Sequence, residues 1–139
     1  MIRSLRLTAL VALLAVLAVA CGDSSDDASL PGIRVIDPDT GAATIADPPA
    51  DLVILDVRTP DEFAEGHIDG AIMIDFYETD FSARLAELDP DAPYLIYCRS
   101  GNRSGQTRAI MADLGFTDVA DVDGGVLAWT DAGLPLVTS

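Results

Sequence analysis

Short apolar runs recur along the chain at the intervals expected of buried strands. Leu52–Leu55 and Tyr94–Tyr97 are continuous apolar runs, which are typical of strands covered on both faces of a parallel sheet. Ala71–Ile74 has the same character. Arg34–Ile36 is a short strand candidate near the start of the pattern, and Val119–Val122 is a weaker one near its end. The pattern therefore predicts five strands.

Helix signals lie between these runs. Thr59 is a capping residue, Pro60 suits the first helical position and Glu62 completes a capping box, so a short helix is expected here, ending at Gly66. Two further helices are predicted from apolar residues at helical spacing and the residues that end them, namely Phe81, Leu85 and Leu88 before Pro90, and Ile110, Met111 and Leu114 before Gly115.

The two ends of the pattern are less regular. A last short helix is indicated by Val126, Leu127 and Trp129, with Gly133 and Pro135 closing it. The segment Pro38–Ala46 is weak, because Asp37–Gly41 makes a poor helix start. Strands that alternate with helices favour an α/β fold, with a mostly parallel sheet and helices on both of its faces.

The first twenty residues carry the pattern of a secretory signal peptide. Arg3 and Arg6 precede an uncharged, mostly apolar run of 14 residues, Leu7–Ala20. A membrane-spanning helix needs about 20 apolar residues, so this run is short for one. We therefore expect residues 1–20 to be removed on export.

Cys21 follows the small residues Ala18 and Ala20, and this arrangement resembles a bacterial lipobox. In that case Cys21 becomes the first residue and carries fatty-acyl chains such as palmitate, which anchor the protein to the extracytoplasmic face of the cell membrane. Ordinary cleavage before an unmodified Cys21 is the alternative and predicts a periplasmic or secreted protein. Residues 21–32 are polar and acidic, as expected of a flexible tether, and residues 33–139 form the folded domain.

The charge balance excludes several classes of partner. The chain has 8 basic residues, all arginine, against 23 acidic ones, a formal charge of −15. So acidic a chain has no electrostatic surface for nucleic acid, and it repels anionic lipids, which leaves a lipid anchor as the membrane contact. Two cysteines and one histidine, His67, are too few for a disulfide scaffold or a typical zinc site. No metal or cofactor is predicted.

The candidate chemistry lies in the loop after the Tyr94–Tyr97 strand. Cys98 opens the segment Cys98–Gly105, which joins a strand end to a helix start, where free amides and the helix dipole favour an anion. Arg99 and Arg103 add positive charge, and Gly101 and Gly105 allow successive N–H groups to turn inward. A cysteine in such surroundings is expected to have a lowered pKa.

Two cysteine chemistries use such a loop. Protein tyrosine phosphatases have five residues between the cysteine and the arginine, whereas four separate Cys98 from Arg103. The shorter loop leaves less room for a tetrahedral phosphate and suits a single additional sulfur atom, held as a persulfide.

The motifs together resemble the single-domain rhodaneses, a family of sulfurtransferases. They are Asp56-Val57-Arg58 with Glu62-Phe63, Gly66–Ala71, the loop CRSGNRS, and Asp123-Gly124-Gly125 with Trp129. The resemblance implies a three-layer fold with a parallel five-stranded sheet flanked by helices. It also implies that Cys98 carries sulfur as the catalytic nucleophile, held by the loop Arg99, Ser100, Gly101, Asn102, Arg103 and Ser104.

The remaining polar residues of these motifs are expected to support the site. We expect Asp56, Arg58 and Glu62 to form an internal ion-pair or turn-holding network, and His67 to fix the turn into the third strand. Arg99 and Arg103 are expected to stabilise negative charge on the sulfur and on the donor, with Arg99 the more exposed of the two.

The resulting hypothesis is a two-step transfer through covalent catalysis. Thiosulfate or a similar sulfane donor would give its outer sulfur to Cys98, and cyanide, a thiol or a protein would accept it; a monomer is expected. The alternatives are a tethered module that senses sulfur or oxidant with little turnover, and a phosphatase or arsenate reductase, which the short loop disfavours.

Overall fold

Five strands alternate with five helices in the computed structural model, which describes residues 32–139. The predicted signal peptide, Cys21 and all but the last residue of the predicted tether lie outside the described residues. In chain order the elements are β1 Ile33–Ile36, α1 Pro38–Ala46, β2 Val53–Asp56, α2 Pro60–Glu65, β3 Ile72–Met73, α3 Phe81–Ala86, β4 Pro93–Tyr97, α4 Asn102–Asp113, β5 Asp118–Val122 and α5 Gly125–Asp131. No helix within residues 32–139 is both long and apolar enough to cross a bilayer.

The strands form one sheet in the order β1-β5-β4-β2-β3, and every pairing is parallel. The predicted parallel five-stranded sheet is therefore confirmed. Because all strands run in the same direction, their carboxyl ends lie along one edge, where ligands of open α/β sheets bind. Asp56 ends β2, and Cys98 follows the last residue of β4. The sheet therefore places Cys98 at this edge, beside the end of β2.

Two apolar clusters fill the spaces on either side of the sheet. Along β4, Ile96 and Cys98 belong to one cluster, and Leu95 and Tyr97 belong to the other. Helices α3 and α4 cover the first cluster and helices α1 and α5 cover the second, so helices lie on both faces as predicted. A central strand covered on both faces cannot alternate between apolar and polar residues, which explains the continuous run Tyr94–Tyr97.

Helix α1 forms although its start is weak in sequence, so the expectation of a poor helix start at Asp37–Gly41 is wrong. The Asp37 carboxylate accepts hydrogen bonds from the Thr40 amide at 2.9 Å and from the Thr40 hydroxyl at 2.8 Å. Pro38 takes the first turn, where its missing N–H costs nothing. Gly41 is buried, and a Cβ at this position would lie 3.3 Å from the Trp129 ring. Close packing of α1 on α5 therefore accounts for the glycine.

Three apolar residues of the predicted elements are exposed. Leu114 follows the last residue of α4 and is exposed, and so is Leu127 on α5. The buried face of α4 consists of Ser104, Thr107 and Met111. Strand β3 has two residues, and Ile72 is half exposed because β3 is an edge strand paired only with β2.

Candidate functional site

The site is built where β4 ends and α4 begins. Cys98 is 0% exposed, and Arg99 and Ser100 form an exposed turn that leads into α4. Gly101 has φ +95°, a left-handed conformation that suits glycine, and its N–H points at Cys98 Sγ from 3.1 Å. The Ser104 hydroxyl, from the first turn of α4, lies 3.5 Å from the same sulfur. The loop therefore curls around the sulfur and directs hydrogen-bond donors at it.

These donors lower the pKa of the Cys98 thiol. Burial alone would raise the pKa of the Cys98 thiol, because a charged sulfur loses its hydration. The backbone N–H and hydroxyl of Ser104, with the N–H groups of Ser100 and Gly101, outweigh burial and lower the pKa below its usual value. The donors therefore make the thiolate, which is the nucleophilic form of cysteine, easier to form than in an ordinary cysteine.

Helix α5 supports the loop from behind. The N–H of Val126 donates to the carbonyl of Cys98 at 2.9 Å, and the N–H of Leu127 donates to that of Arg99 at 3.1 Å. These are N–H groups of the first turn of α5, which have no partner within the helix. Gly125, at φ +58°, makes the close approach possible, because a Cβ there would lie 2.3 Å from the Cys98 carbonyl oxygen.

Gly125 was not among the predicted site residues. Its signal in the sequence was a pair of glycines, Gly124-Gly125, directly before a predicted helix. Two adjacent glycines at a helix start are consistent with left-handed backbone or a close approach of another chain segment. Which segment approaches is set by the sheet, since β5 lies beside β4.

Arg103 points to Glu62 of α2 and forms two hydrogen bonds with its carboxylate, each 2.7 Å long. The hydrogen bond from Arg103 is the main reason that the pKa of Glu62 falls to about 2, and the Thr59 N–H and hydroxyl contribute further. Thr59 and Glu62 form the predicted capping box. The Arg103 guanidinium also lies 5.6 Å from the centre of the exposed Tyr77 ring.

This pairing changes the role expected for Arg103. Its charge is balanced by Glu62, and the main groups that lower the pKa of Cys98 are amides and a hydroxyl rather than arginines. Cys98 still raises the pKa of Arg103 through charge, as a contribution smaller than that of Glu62. Arg103 therefore holds α2 against the loop and acts on the sulfur only at longer range.

Asp56 and Arg58 form a buried ion pair at the end of β2. Both Asp56 carboxylate oxygens accept from the Arg58 side chain, at distances of 2.7 to 3.0 Å. The same guanidinium donates to the Gly66 carbonyl at 2.7 Å and lies over the Tyr97 ring. Glu62, expected in this network, belongs to the Arg103 pair instead. The Asp56–Arg58 pair thus ties the residue after α2 to the end of β2, and the Glu62–Arg103 pair ties α2 itself to the first turn of α4.

His67 lies in the turn before β3. Its Nδ1 is 2.9 Å from the Phe63 carbonyl oxygen, and its ring stacks on the Phe63 ring with centroids 3.7 Å apart. Its backbone pairs with Val137 through two hydrogen bonds of 2.9 and 2.8 Å. His67 therefore joins this turn to Phe63 of α2 through its ring and to Val137 through its backbone.

The remaining loop residues face outward. Arg99 is exposed, as expected, and so are Ser100 and Asn102. The Asn102 side-chain oxygen accepts from Gln106 one helical turn later, at 2.9 Å. Within residues 32–139, no three His, Cys, Asp or Glu side chains are grouped so that they could hold a metal ion.

Comparison with known proteins identifies the family. Residues 37–132 match the model of the rhodanese-like domain, so the chain belongs to the rhodanese-like family. A "Sulfurtransferase" of Allochromatium vinosum is 35% identical over 105 residues, which are 76% of this chain and 95% of the relative. The "Thiosulfate sulfurtransferase GlpE" of Pseudomonas putida is 43% identical over 77 residues, 55% of this chain and 68% of the relative.

Solved structures agree with this result. The crystal structure of a rhodanese-related protein from Thermoplasma volcanium superposes with a TM-score of 0.67 at 29% identity, over 76% of this chain and 99% of that one. The resemblance seen in the sequence motifs and the fold class are thus confirmed. The family and its sulfurtransferase relatives support a sulfurtransferase.

The close approach at Gly125 predicts that Gly125→Ala disrupts the site. The added methyl group would collide with the Cys98 carbonyl, and φ +58° strains any L side chain. We expect the free energy of unfolding to fall by about 2 kcal/mol or more, measured by chemical denaturation, and the alkylation rate of Cys98 to drop.

Gly105→Ala is the matched control for this variant. Gly105 lies inside α4, and a Cβ there would have open space. Alanine is favoured over glycine in a helix, so this variant is expected to gain about 0.5–1 kcal/mol. Equal stability of the two variants would contradict the close approach of α5 to the loop.

Proposed function

We propose that the protein is a thiosulfate sulfurtransferase that carries sulfane sulfur as a persulfide on Cys98. The observation that carries this proposal is the set of donors around Cys98 Sγ, with the Gly101 N–H at 3.1 Å and the Ser104 hydroxyl at 3.5 Å. Donors that favour a thiolate also favour the negative outer sulfur of a persulfide. The name of the Pseudomonas putida relative supports thiosulfate as the donor.

The reaction proceeds in two displacements. In the first, the Cys98 thiolate attacks the outer sulfur of thiosulfate, the S–S bond of thiosulfate breaks, and sulfite leaves with the electron pair. In the second, cyanide or a thiolate attacks the outer sulfur of the persulfide, and the Cys98 thiolate is restored. Because the donor's first product leaves before the acceptor reacts, ping-pong kinetics are expected.

The alternatives are less well supported by the site. Four residues between Cys98 and Arg103 leave a smaller loop than that of tyrosine phosphatases. Cys98 is also the one cysteine in the described part of the chain, so a resolving partner would have to come from elsewhere.

Replacement of each cysteine in turn tests the proposed function. Cys98→Ser is expected to abolish thiosulfate:cyanide transfer, because a serine hydroxyl cannot carry a persulfide. Cys21→Ser is the matched control and should retain turnover. Wild-type protein mixed with thiosulfate should gain about 32 Da, one sulfur atom, on the peptide that contains Cys98. Cys98-dependent hydrolysis of an aryl phosphate without sulfur transfer would overturn the assignment.

The Glu62–Arg103 pair predicts a moderate effect on anionic donors. Arg103→Ala removes a positive charge and leaves the Glu62 carboxylate unpaired beside the loop, so thiosulfate is repelled. We expect kcat/KM for thiosulfate to fall roughly 10-fold, equal to about 1.4 kcal/mol, and Glu62→Gln in the same chain to restore part of it. Arg99→Ala, at an exposed position, should cost less and depend more on salt. Wild-type kinetics for Arg103→Ala would show that the loop amides suffice alone.

We further propose that the protein is exported and anchored to the extracytoplasmic face of the membrane by lipid on Cys21. The apolar run before Cys21 and the acidic segment after it support this proposal. Wild-type protein is expected in the membrane fraction with diacylated Cys21 at its N-terminus, and Cys21→Ser should be released. Recovery of wild-type protein entirely in the soluble fraction, with unmodified Cys21, would contradict the anchor.

A further inference from the structure

An exposed aromatic ring lies next to the Glu62–Arg103 pair. Tyr77 is 68% exposed, the largest fraction among the large hydrophobic side chains of residues 32–139. It belongs to the segment that connects β3 to α3, and Arg103 Cζ lies over its ring, 5.6 Å from the ring centre. Packing of the hydrophobic core does not explain an aromatic residue at so exposed a position.

The segment around Tyr77 is fixed to the core. The N–H of Tyr77 donates to Asp75 Oδ1 at 2.9 Å. Phe76 is partly buried in the apolar cluster on the α3 and α4 side of the sheet, and its ring lies 5.1 Å from the Phe81 ring, edge to face. The Tyr77 ring meets the Phe76 ring at 85°, with centroids 5.6 Å apart. Tyr77 is therefore held in place before it contacts Arg103, so the contact costs little conformational entropy.

The Arg103 guanidinium has two partners. Its Nη1 and Nη2 donate to the two carboxylate oxygens of Glu62, each at 2.7 Å. The face of the Tyr77 ring attracts the same cation, since a guanidinium within about 6 Å of a ring centre interacts with the ring electrons. The Arg103 side chain is 12% exposed, so the ion pair is largely withdrawn from water on the arginine side. Withdrawal from water strengthens the attraction between the two charges.

We propose that Tyr77 is a positioning residue that holds the Arg103 guanidinium on Glu62 and so keeps the Glu62 carboxylate paired beside the loop around Cys98. Without the ring, water reaches the guanidinium, and an exposed ion pair is weak and easily screened. The Glu62 carboxylate then acts as an unpaired negative charge and repels an anionic donor. The inference rests on the proposed function, in which the anion thiosulfate has to approach Cys98.

The charge balance at Arg103 matters because Arg103 is close to the sulfur in the chain and in space. It directly precedes Ser104, whose hydroxyl is 3.5 Å from Cys98 Sγ. Glu62 is the main cause that raises the pKa of Arg103, and the charge of Cys98 raises this pKa further. In a chain with a formal charge of −15, one more unpaired carboxylate at this place adds to the repulsion that an anion meets.

Alkylation of Cys98 by two reagents of different charge tests this proposal on the full chain, with mass spectrometry locating the label at Cys98. Iodoacetate is an anion and iodoacetamide is neutral. Both react with the thiolate, so the ratio of their rates reports the charge around the sulfur and not its pKa. We expect Tyr77→Ala to lower the iodoacetate to iodoacetamide ratio roughly threefold at low salt. The loss should disappear in about 1 M salt, which screens the carboxylate.

Two further variants show whether the face of the ring is responsible. Tyr77→Phe keeps the ring without its hydroxyl and should retain most of the wild-type ratio. Leu114→Ala is the matched control, because Leu114 is also an exposed apolar residue but lies after the far end of α4; its ratio should equal that of the wild type. A wild-type ratio for Tyr77→Ala, or an equal loss in Tyr77→Phe and Tyr77→Ala, would overturn the proposal.

A double-mutant comparison tests whether Tyr77 acts through Arg103. If it does, Tyr77→Ala should change the ratio little in a chain that already has Arg103→Ala, where no guanidinium is left to hold. An equal loss in both backgrounds would show that the ring acts on the reagent directly, and would contradict a positioning role. Alkylation needs no sulfur donor, so a failure of thiosulfate turnover by the wild type would reject the proposed function without affecting this test.

Discussion

The site depends on hydrogen-bond donors that lower the pKa of a cysteine buried inside the protein. Removal of a thiolate from water favours the neutral thiol, so burial of Cys98 works against its reactivity. The loop compensates with donors from Ser100, Gly101 and Ser104, which together outweigh the effect of burial. This arrangement requires the left-handed Gly101 and a helix that begins directly after the loop. Stabilisation of Cys98 Sγ thus requires a particular backbone conformation in the seven residues Cys98–Ser104.

A loop of this shape needs support, because its carbonyl groups must turn away from the sulfur. Two amides of α5 bind the carbonyls of Cys98 and Arg99 from behind. Glu62 of α2 binds Arg103 from the side, and the buried Asp56–Arg58 pair holds the turn that follows α2. The elements around these strand ends therefore all support the loop, although the hydrogen bonds to the sulfur come from the loop and the first turn of α4.

Most of the arginine side chains are paired with carboxylates. The described residues include six arginines, and Arg34, Arg58, Arg103 and Arg108 each lie within 4.0 Å of a carboxylate. Most of the positive charge is thus balanced locally, in a chain whose formal charge is −15. Attraction of an anionic donor cannot come from the overall field of so acidic a protein. In the function proposed here, an anionic donor would be attracted by the backbone amides at one helix start, where partial charges act at short distance.

Local patterns in the sequence were sufficient to predict the strands, most of the helices, and the loop with its cysteine. These features depend on residues that are close together in the chain. The cap of α1 is also local, and the side chain of Asp37 explains it. Tertiary structure decided the rest. Glu62 reaches Arg103 across 41 residues, and Gly125 reaches the Cys98 carbonyl, only because the sheet order places β2 and β5 beside β4.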